Sequence, residues 1–313
     1  MFNFSYESAL PAQKKAVLAN SGRINLRPNF EVLSPYIFLA PSLFFLLMFS
    51  YFPFLKTIVM SLAITNNQGH IKKFVGLQNY MDLFTSKSFL DSLVVTLKFA
   101  PMIFIPTILF AMLLAILADK KIKGLSPIFE VMFSLPMAVA SASAAIIWKM
   151  VFVPSVGALN YILGTNINWL TDRKWALFSV ALVTVWLQVG INFIFLVTGL
   201  RGVPQELSEG AMIDGAGTIA TFLFIKLPMI SPTLFFVAFF NTIASFQAFG
   251  QTRLLTQGGP GTSTTVLVYS TYLEAFMNKR YGSAGAMSIV LFLIMLCITL
   301  LQFRFEKKGV HYS

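Results

Sequence analysis

The 313-residue chain is 57% hydrophobic and only 11% charged, less than half the roughly 25% charge of an ordinary soluble domain. With 33 phenylalanines and a mean hydropathy of +0.76 it cannot hide its apolar surface in a soluble core, and disorder, collagen and a disulfide scaffold are excluded as well. The single cysteine, Cys297, rules out an internal disulfide, and the net charge of +11 comes from basic residues scattered between apolar segments, the pattern of membrane-helix flanks against anionic headgroups rather than of a nucleic-acid surface.

In chain order, residues 1–35 are polar and lack an apolar h-region, so no cleaved leader is expected. Six windows then reach the ~20 apolar residues that a membrane helix needs. Tyr36–Leu62 carries Lys56, Pro41 and Pro53. Leu93–Ala118 carries Lys98, Pro101 and Pro106. Ile128–Val153 has Glu130 near one end and Lys149 near the other. Ala176–Leu200, Thr233–Thr252 and Ala284–Phe303 hold no charge. Prolines inside spans predict kinks that neighbouring helices tolerate. Period-2 alternation is absent, which excludes a barrel. The expectation is an all-α integral membrane protein with six transmembrane helices, both termini on one side. Loop lysines and arginines divide twelve to eight in favour of cytoplasmic termini, with the short Asp119–Lys123 cluster the best single pointer. Residues 1–35 then form a cytoplasmic segment, 36–303 the membrane domain and 304–313 a cytoplasmic tail.

The connection after the fourth window, residues 201–232, is unlike the others. Pro204 can open a helix, Glu206 and Glu209 suit its N-terminal turn, and Leu207 and Ala211 share a face. Gly215 and Gly217 permit a sharp turn. Thr218–Leu227 can be helical again, with Pro228 as its end.

This segment resembles the cytoplasmic EAA loop of ABC importer permeases: Glu209-x-Ala211, then Gly215, nine residues, then Ile225-x-Leu227-Pro228, with Asp214 and Ala216 fitting the longer form and Gly210 standing where the family usually has Ala. Leu254-Leu255-Thr256-x-Gly258-Gly259-Pro260 resembles an external segment of the carbohydrate-importing branch. Val75-Gly76-Leu77-x-Asn79-Tyr80 and Leu135-Pro136 add to the likeness. The resemblance is to the larger permease subunits of maltose-type importers and the glycerol-3-phosphate permease group. It implies the type I ABC importer permease fold with a coupling helix, whose residues would be Glu206, Leu207, Glu209, Gly210, Ala211, Met212, Asp214 and Gly215. Implied partners are a second permease in a heterodimer, an ATP-binding-cassette ATPase dimer, an extracytoplasmic substrate-binding protein and membrane lipid, with no nucleic acid. The implied location is the bacterial inner membrane.

No Gly-x4-Gly-Lys-Ser/Thr sequence occurs, so no enzymatic activity is expected of this chain; ATP and Mg would be bound by the partner ATPase. His70 and His311 lack companion ligands, so no metal is expected. Gly258–Gly261 reads as a membrane-edge turn.

Polar residues inside uncharged spans face partners or water. Thr184, Gln188 and Asn192 recur every four residues, as do Asn241 and Ser245, and each set shares a helix face. Interhelical hydrogen bonding and a substrate cavity both account for single residues; for the Asn241–Ser245 face the cavity is favoured. The resemblance places the substrate path at Met137, Ser141, Thr184, Leu187, Gln188, Ile191, Asn241, Ser245 and Ala248. A neutral sugar or oligosaccharide is favoured, because Lys98 and Lys149 lie near outer ends where lysines snorkel; glycerol-3-phosphate or a related solute is the alternative. A stand-alone secondary transporter would show repeats and buried carboxylates, and a channel a charged ring or carbonyl filter; neither pattern is present.

Overall fold

The structure, a computed structural model, describes residues 30–119 and 126–309. Most of the expected N-terminal segment (1–29), the basic cluster Lys120–Lys123 and residues 310–313 of the tail lie outside the described residues. The chain divides into two units, Met1–Lys56 and Thr57–Ser313. The first holds α1 (Phe30–Leu46), a π turn (Leu47–Tyr51) and the start of α2 (Phe52–Ser61). Ser34–Ser61 form one 28-residue apolar helix whose most hydrophobic window has no buried residue. At 1.5 Å per residue it is ~42 Å long, enough to cross ~30 Å of hydrocarbon.

The second unit opens with the end of α2 and a short antiparallel hairpin, β1 (Ala63–Thr65) and β2 (Ile71–Phe74), in which Ala63 faces Phe74. The hairpin is a small departure from the all-α expectation. It is followed by α3 (Gln78–Thr85). Asn79 of α3 donates its amide to the carbonyls of Ser61 and Ala63 at 2.8 and 3.1 Å, and the Tyr80 hydroxyl lies 2.7 Å from Ser61 Oγ. Asn79 therefore satisfies the Ser61 carbonyl that the end of α2 leaves open, while Tyr80 pairs with the Ser61 hydroxyl.

Next come α4 (Lys87–Asp119), α5 (Ser126–Ala138), α6 (Ser141–Val151), α7 (Ala158–Leu163) and α8 (Ala176–Arg201). The fold continues with α9 (Gln205–Ile213), α10 (Thr218–Thr221), a π turn (Phe222–Lys226), α11 (Leu227–Met229), α12 (Ser231–Phe246) and α13 (Phe249–Leu255). It closes with α14 (Leu267–Tyr272), a third π turn (Leu273–Met277) and α15 (Tyr281–Gly309). The third span differs from the simple kink expected: α5 and α6 meet at 102°. Pro136 removes a donor from the last turn of α5, and Ala140 is extended (φ −59°, ψ 139°). The bent pair still crosses as one span. Its Glu130 end meets Arg201 at one end of α8, and Phe152 beyond its other end packs with Trp169 and Val180. Five helices among the described residues are long and apolar enough to cross a membrane, and the bent pair counted as one span makes the six that the composition predicts.

α8 is the central pillar, with 56% of its apolar window buried. Its first half joins Phe99, Ile103, Phe152 and Trp169, and its second half joins Ala111, Ala115, Ile230 and Val237. Glycines admit close backbone contact between elements. At Gly190 of α8 an added Cβ would sit 3.0 Å from the Phe133 carbonyl oxygen, and at Gly282 of α15 it would sit 2.2 Å from that of Ala63.

Candidate functional site

Three chain ends meet at one face of the second unit: the end of α4 at Asp119, the α5 segment at Glu130 and the end of α8 at Arg201. The 202–230 connection lies over them. α9 opens one residue later than expected, with Pro204 as its N-cap (φ −53°, ψ 130°) rather than its first helical residue. Gly215 takes φ +88°, a conformation that L side chains avoid, and this sharp turn carries the chain into α10. The return helix does not stop at Pro228. The Leu227 N–H bonds the Phe222 carbonyl across a π turn, and the helix runs on to Met229 before breaking at Ile230. The same arrangement precedes Pro53, where the Phe52 N–H bonds the Leu47 carbonyl. A wider turn ahead of a proline accommodates the backbone that its missing donor disturbs.

None of the nine residues of α9 is buried. Leu207 is 45% exposed and Ile213 is 86% exposed, beside Glu206 and Asp214. The opposite side of α9, through Ser208, Glu209 and Met212, borders a cavity of about 840 Å³ closed on the bundle side by Asp119, Arg201 and Lys226. Gln205 donates to Glu209 at 2.6 Å. Nothing lies within 4 Å of a Cβ added to Gly210, so the alanine usual in the EAA pattern would fit there. Ala211 is partly covered.

Two ion pairs lie at this face, one between α8 and α5 and one between the connection and α4. Arg201 grips Glu130 with both guanidinium nitrogens, at 2.5 and 3.2 Å. Lys226 Nζ meets Asp119 Oδ2 at 2.5 Å. The reading of the sequence found these charges but not the pairs, which join residues 71 and 107 positions apart; local spacing carries no signal for either.

The residues assigned to a substrate path divide into two groups. Met137, Ser141 and Ile191 are exposed and Gln188 is half-buried. Ser141 opens α6 just past the bend, and its Cβ is 3.7 Å from the Cβ position of Gly250, at the break between α12 and α13. Met137 and Ile191 flank the crossing of α5 and α8 at Gly190. Leu187 is partly covered. Thr184, Asn241, Ser245 and Ala248 are buried. Thr184 bonds the Val180 carbonyl, and Ser245 that of Asn241. The Asn241 amide donates to the Phe104 carbonyl of α4 at 3.0 Å, so the face favoured for a cavity is turned into a helix contact in this conformation. Spacing alone assigns Asn241 and Ser245 to a common face but not to a neighbour.

On the opposite side, Gly258 and Gly261 have φ of +85° and +62°. Thr264 and Thr265 hydroxyls bond the Gly259 and Gly258 carbonyls at 2.8 and 3.1 Å, giving the tight turn expected of this glycine cluster. Arg253 lies 4.8 Å over the Tyr272 ring. Asn160, 4% exposed, organises the α6–α8 connection by accepting the Trp169 indole N–H at 2.8 Å and donating to the Pro154 and Ile167 carbonyls.

Residues 86–309 match the family described as the binding-protein-dependent transport system inner membrane component. The permease protein UgpA of the sn-glycerol-3-phosphate transport system of Agrobacterium fabrum is 37% identical over 283 residues, covering 89% of this chain and 96% of that protein. The UgpA of Brucella abortus is 36% identical with the same coverage. In fold, the chain superposes with a TM-score of 0.80 on a chain of a bacterial ABC transporter that imports the acidic polysaccharide alginate, at 21% identity, over 90% of this chain and 97% of that one. The matched family spans five of the six membrane helices and the whole 202–230 connection. The chain belongs to the binding-protein-dependent transport system inner membrane components, and is a multi-pass ABC importer permease.

Proposed function

We propose that this chain pairs with a second permease to form the translocation path for a neutral sugar or oligosaccharide, and that α9 docks on a separate ATPase. Substrate would arrive on an extracytoplasmic binding protein, the partner that the family's description names. ATP and Mg belong to the ATPase dimer, and this chain performs no chemistry of its own. The observation that carries the reading is α9: a helix with no buried residue, exposed apolar side chains at Leu207 and Ile213, and the acids Glu206, Glu209 and Asp214, set at the EAA spacing. Apolar side chains and acids together can fill a pocket and fix orientation. Gly210, Ala211, Met212 and Gly215 complete the docking element. It is assigned to the cytoplasmic side, with both termini.

For the substrate path, Met137, Ser141 and Ile191 supply accessible apolar and hydrogen-bonding groups and half-buried Gln188 adds an amide, none charged. Thr184, Asn241 and Ser245 are buried; Thr184 and Ser245 bond carbonyls of their own helices, and Asn241 ties α12 to α4. Hydroxyl-rich solutes suit such a lining. A second reading, an sn-glycerol-3-phosphate or related anionic solute, is favoured by the identity to the UgpA proteins. The test is reconstitution of the chain with its second permease, ATPase and binding protein in proteoliposomes. Uptake should require ATP and all four components. Uptake by the chain alone, driven by an ion gradient, would overturn the reading in favour of a secondary transporter.

A further inference from the structure

The helix proposed to dock on an ATPase has no buried residue, so its own packing does not fix it to the bundle. The returning half of the connection is tied to the spans by Phe222, Leu227 and Ile230, which pack with Ala111, Ala115 and Ala118, and by one charged contact, the Lys226–Asp119 ion pair at 2.5 Å, with side chains only 24% and 19% exposed. Lys226 closes the π turn ahead of Pro228, and Asp119 is the last residue of α4. Both border the 840 Å³ cavity beneath α9 and the smaller 140 Å³ cavity that reaches Met212 and Phe222. α4 carries two more polar ties along its length, both to the segment that follows Lys226. The Phe104 carbonyl accepts the Asn241 amide at 3.0 Å. Nearer its outer end, Thr96 Oγ1 accepts the Leu267 N–H at 2.7 Å. One helix thus links the coupling connection, the middle of the fifth span and the start of α14.

We propose that Asp119 and Lys226 are positioning residues for coupling: their ion pair passes displacement of the α9–α10 connection into α4, and through α4 into the fifth span and the outer segment. This rests on the docking role proposed for α9. An ion pair suits the task because it is directional, holding the end of α4 and the π turn in register beside the two cavities, and because a partly shielded pair is less screened than a surface one.

The test uses the assembled transporter in proteoliposomes with Asp119→Asn, Lys226→Gln and the exchanged pair Asp119→Lys/Lys226→Asp. Each single variant is near-isosteric, so insertion, thermal midpoint and co-purification of the ATPase should hold. Substrate moved per ATP hydrolysed should fall by about tenfold, within the range of coupling changes seen for residues along such routes. The exchanged pair should recover most of it. A merely structural pair would lower the thermal midpoint and leave the ratio unchanged. Leu207→Asp runs in parallel. If Leu207→Asp uncouples but Asp119→Asn and Lys226→Gln keep the wild-type ratio, the positioning role is wrong and the docking role stands. If Leu207→Asp also keeps it, the docking role itself is wrong. Single variants that lose the ratio without recovery in a folded exchanged pair would also overturn the proposal, since the charge interaction would not be what matters.

Discussion

A methyl group added at Gly190 tests the crossing on which the substrate path depends. Its Cβ would lie 3.0 and 3.2 Å from the Phe133 and Ser134 carbonyl oxygens and 3.3 Å from Ser134 Cα. All three are backbone atoms of α5, so relief requires the helix to move by a few tenths of an ångström rather than a side chain to rotate. Overpacking of this kind costs ~1–3 kcal/mol, while replacing glycine by alanine within a helix returns up to ~1 kcal/mol. The net expectation for Gly190→Ala is a loss of about 1–2 kcal/mol, a factor of roughly 5–30 in the folded-to-unfolded ratio. Gly210→Ala is the matched control, because the same chemical change there meets nothing within 4 Å; it should stabilise α9 and slow amide exchange over residues 205–213. The assay is thermal unfolding in detergent for both variants, with hydrogen exchange on the control. A Gly190→Ala protein as stable as the parent would refute the close crossing. Because the shift displaces Met137 and Ser141 relative to Ile191, transport should also fall in a variant that still folds.

Three further outcomes are expected. Asn241→Leu removes one interhelical bond, worth about 0.6 kcal/mol in membrane proteins, together with a buried Oδ1 that has no hydrogen-bond partner; stability should change by less than ~1 kcal/mol, and a loss of several kcal/mol in detergent unfolding would contradict this account of the contact. Gly215→Pro cannot adopt φ +88° and should leave insertion intact while abolishing substrate-stimulated ATP hydrolysis, whereas normal stimulation would remove the turn from the coupling path. Gln188→Leu should lower uptake by up to about tenfold, the value of one hydrogen bond of ~0.5–1.5 kcal/mol, without altering capture by the separate binding protein; unaltered uptake would remove Gln188 from the path.

The spans and the coupling segment were legible because each leaves a signal in consecutive residues. Apolar length marks the membrane helices, and a fixed spacing of acids, small residues and Leu227-Pro228 marks the connection. The Gly215 turn was legible for the same reason, since only that residue type takes its conformation cheaply. The motif at Asn79-Tyr80 was visible as a pattern, but its task, bonding Ser61 and Ala63 where α2 passes into β1, emerges only from the fold. What local pattern does not encode was missed. Pro136 announces a bend without its size, and the 102° angle follows from how α5 crosses Gly190 and how α6 meets Gly250. Pro228 suggests an end, yet a π turn two residues earlier carries the helix through. Periodicity puts Asn241 and Ser245 on one face, but whether that face meets water or α4 depends on a residue 137 positions away. The Lys226–Asp119 and Arg201–Glu130 pairs were invisible for the same reason.

The claim that α9 is the element that meets an ATPase is tested most directly by cross-linking. Ile213, 86% exposed on the coupling connection, and Tyr161, 89% exposed on α7 at the other end of the bundle, are each replaced by cysteine in a Cys297→Ser background. The assembled transporter is then treated with a short bifunctional thiol reagent. The account predicts an adduct of the permease with the ATPase from Ile213→Cys and none from Tyr161→Cys. An ATPase adduct from Tyr161→Cys alone, or none from Ile213→Cys in an intact complex, would contradict it.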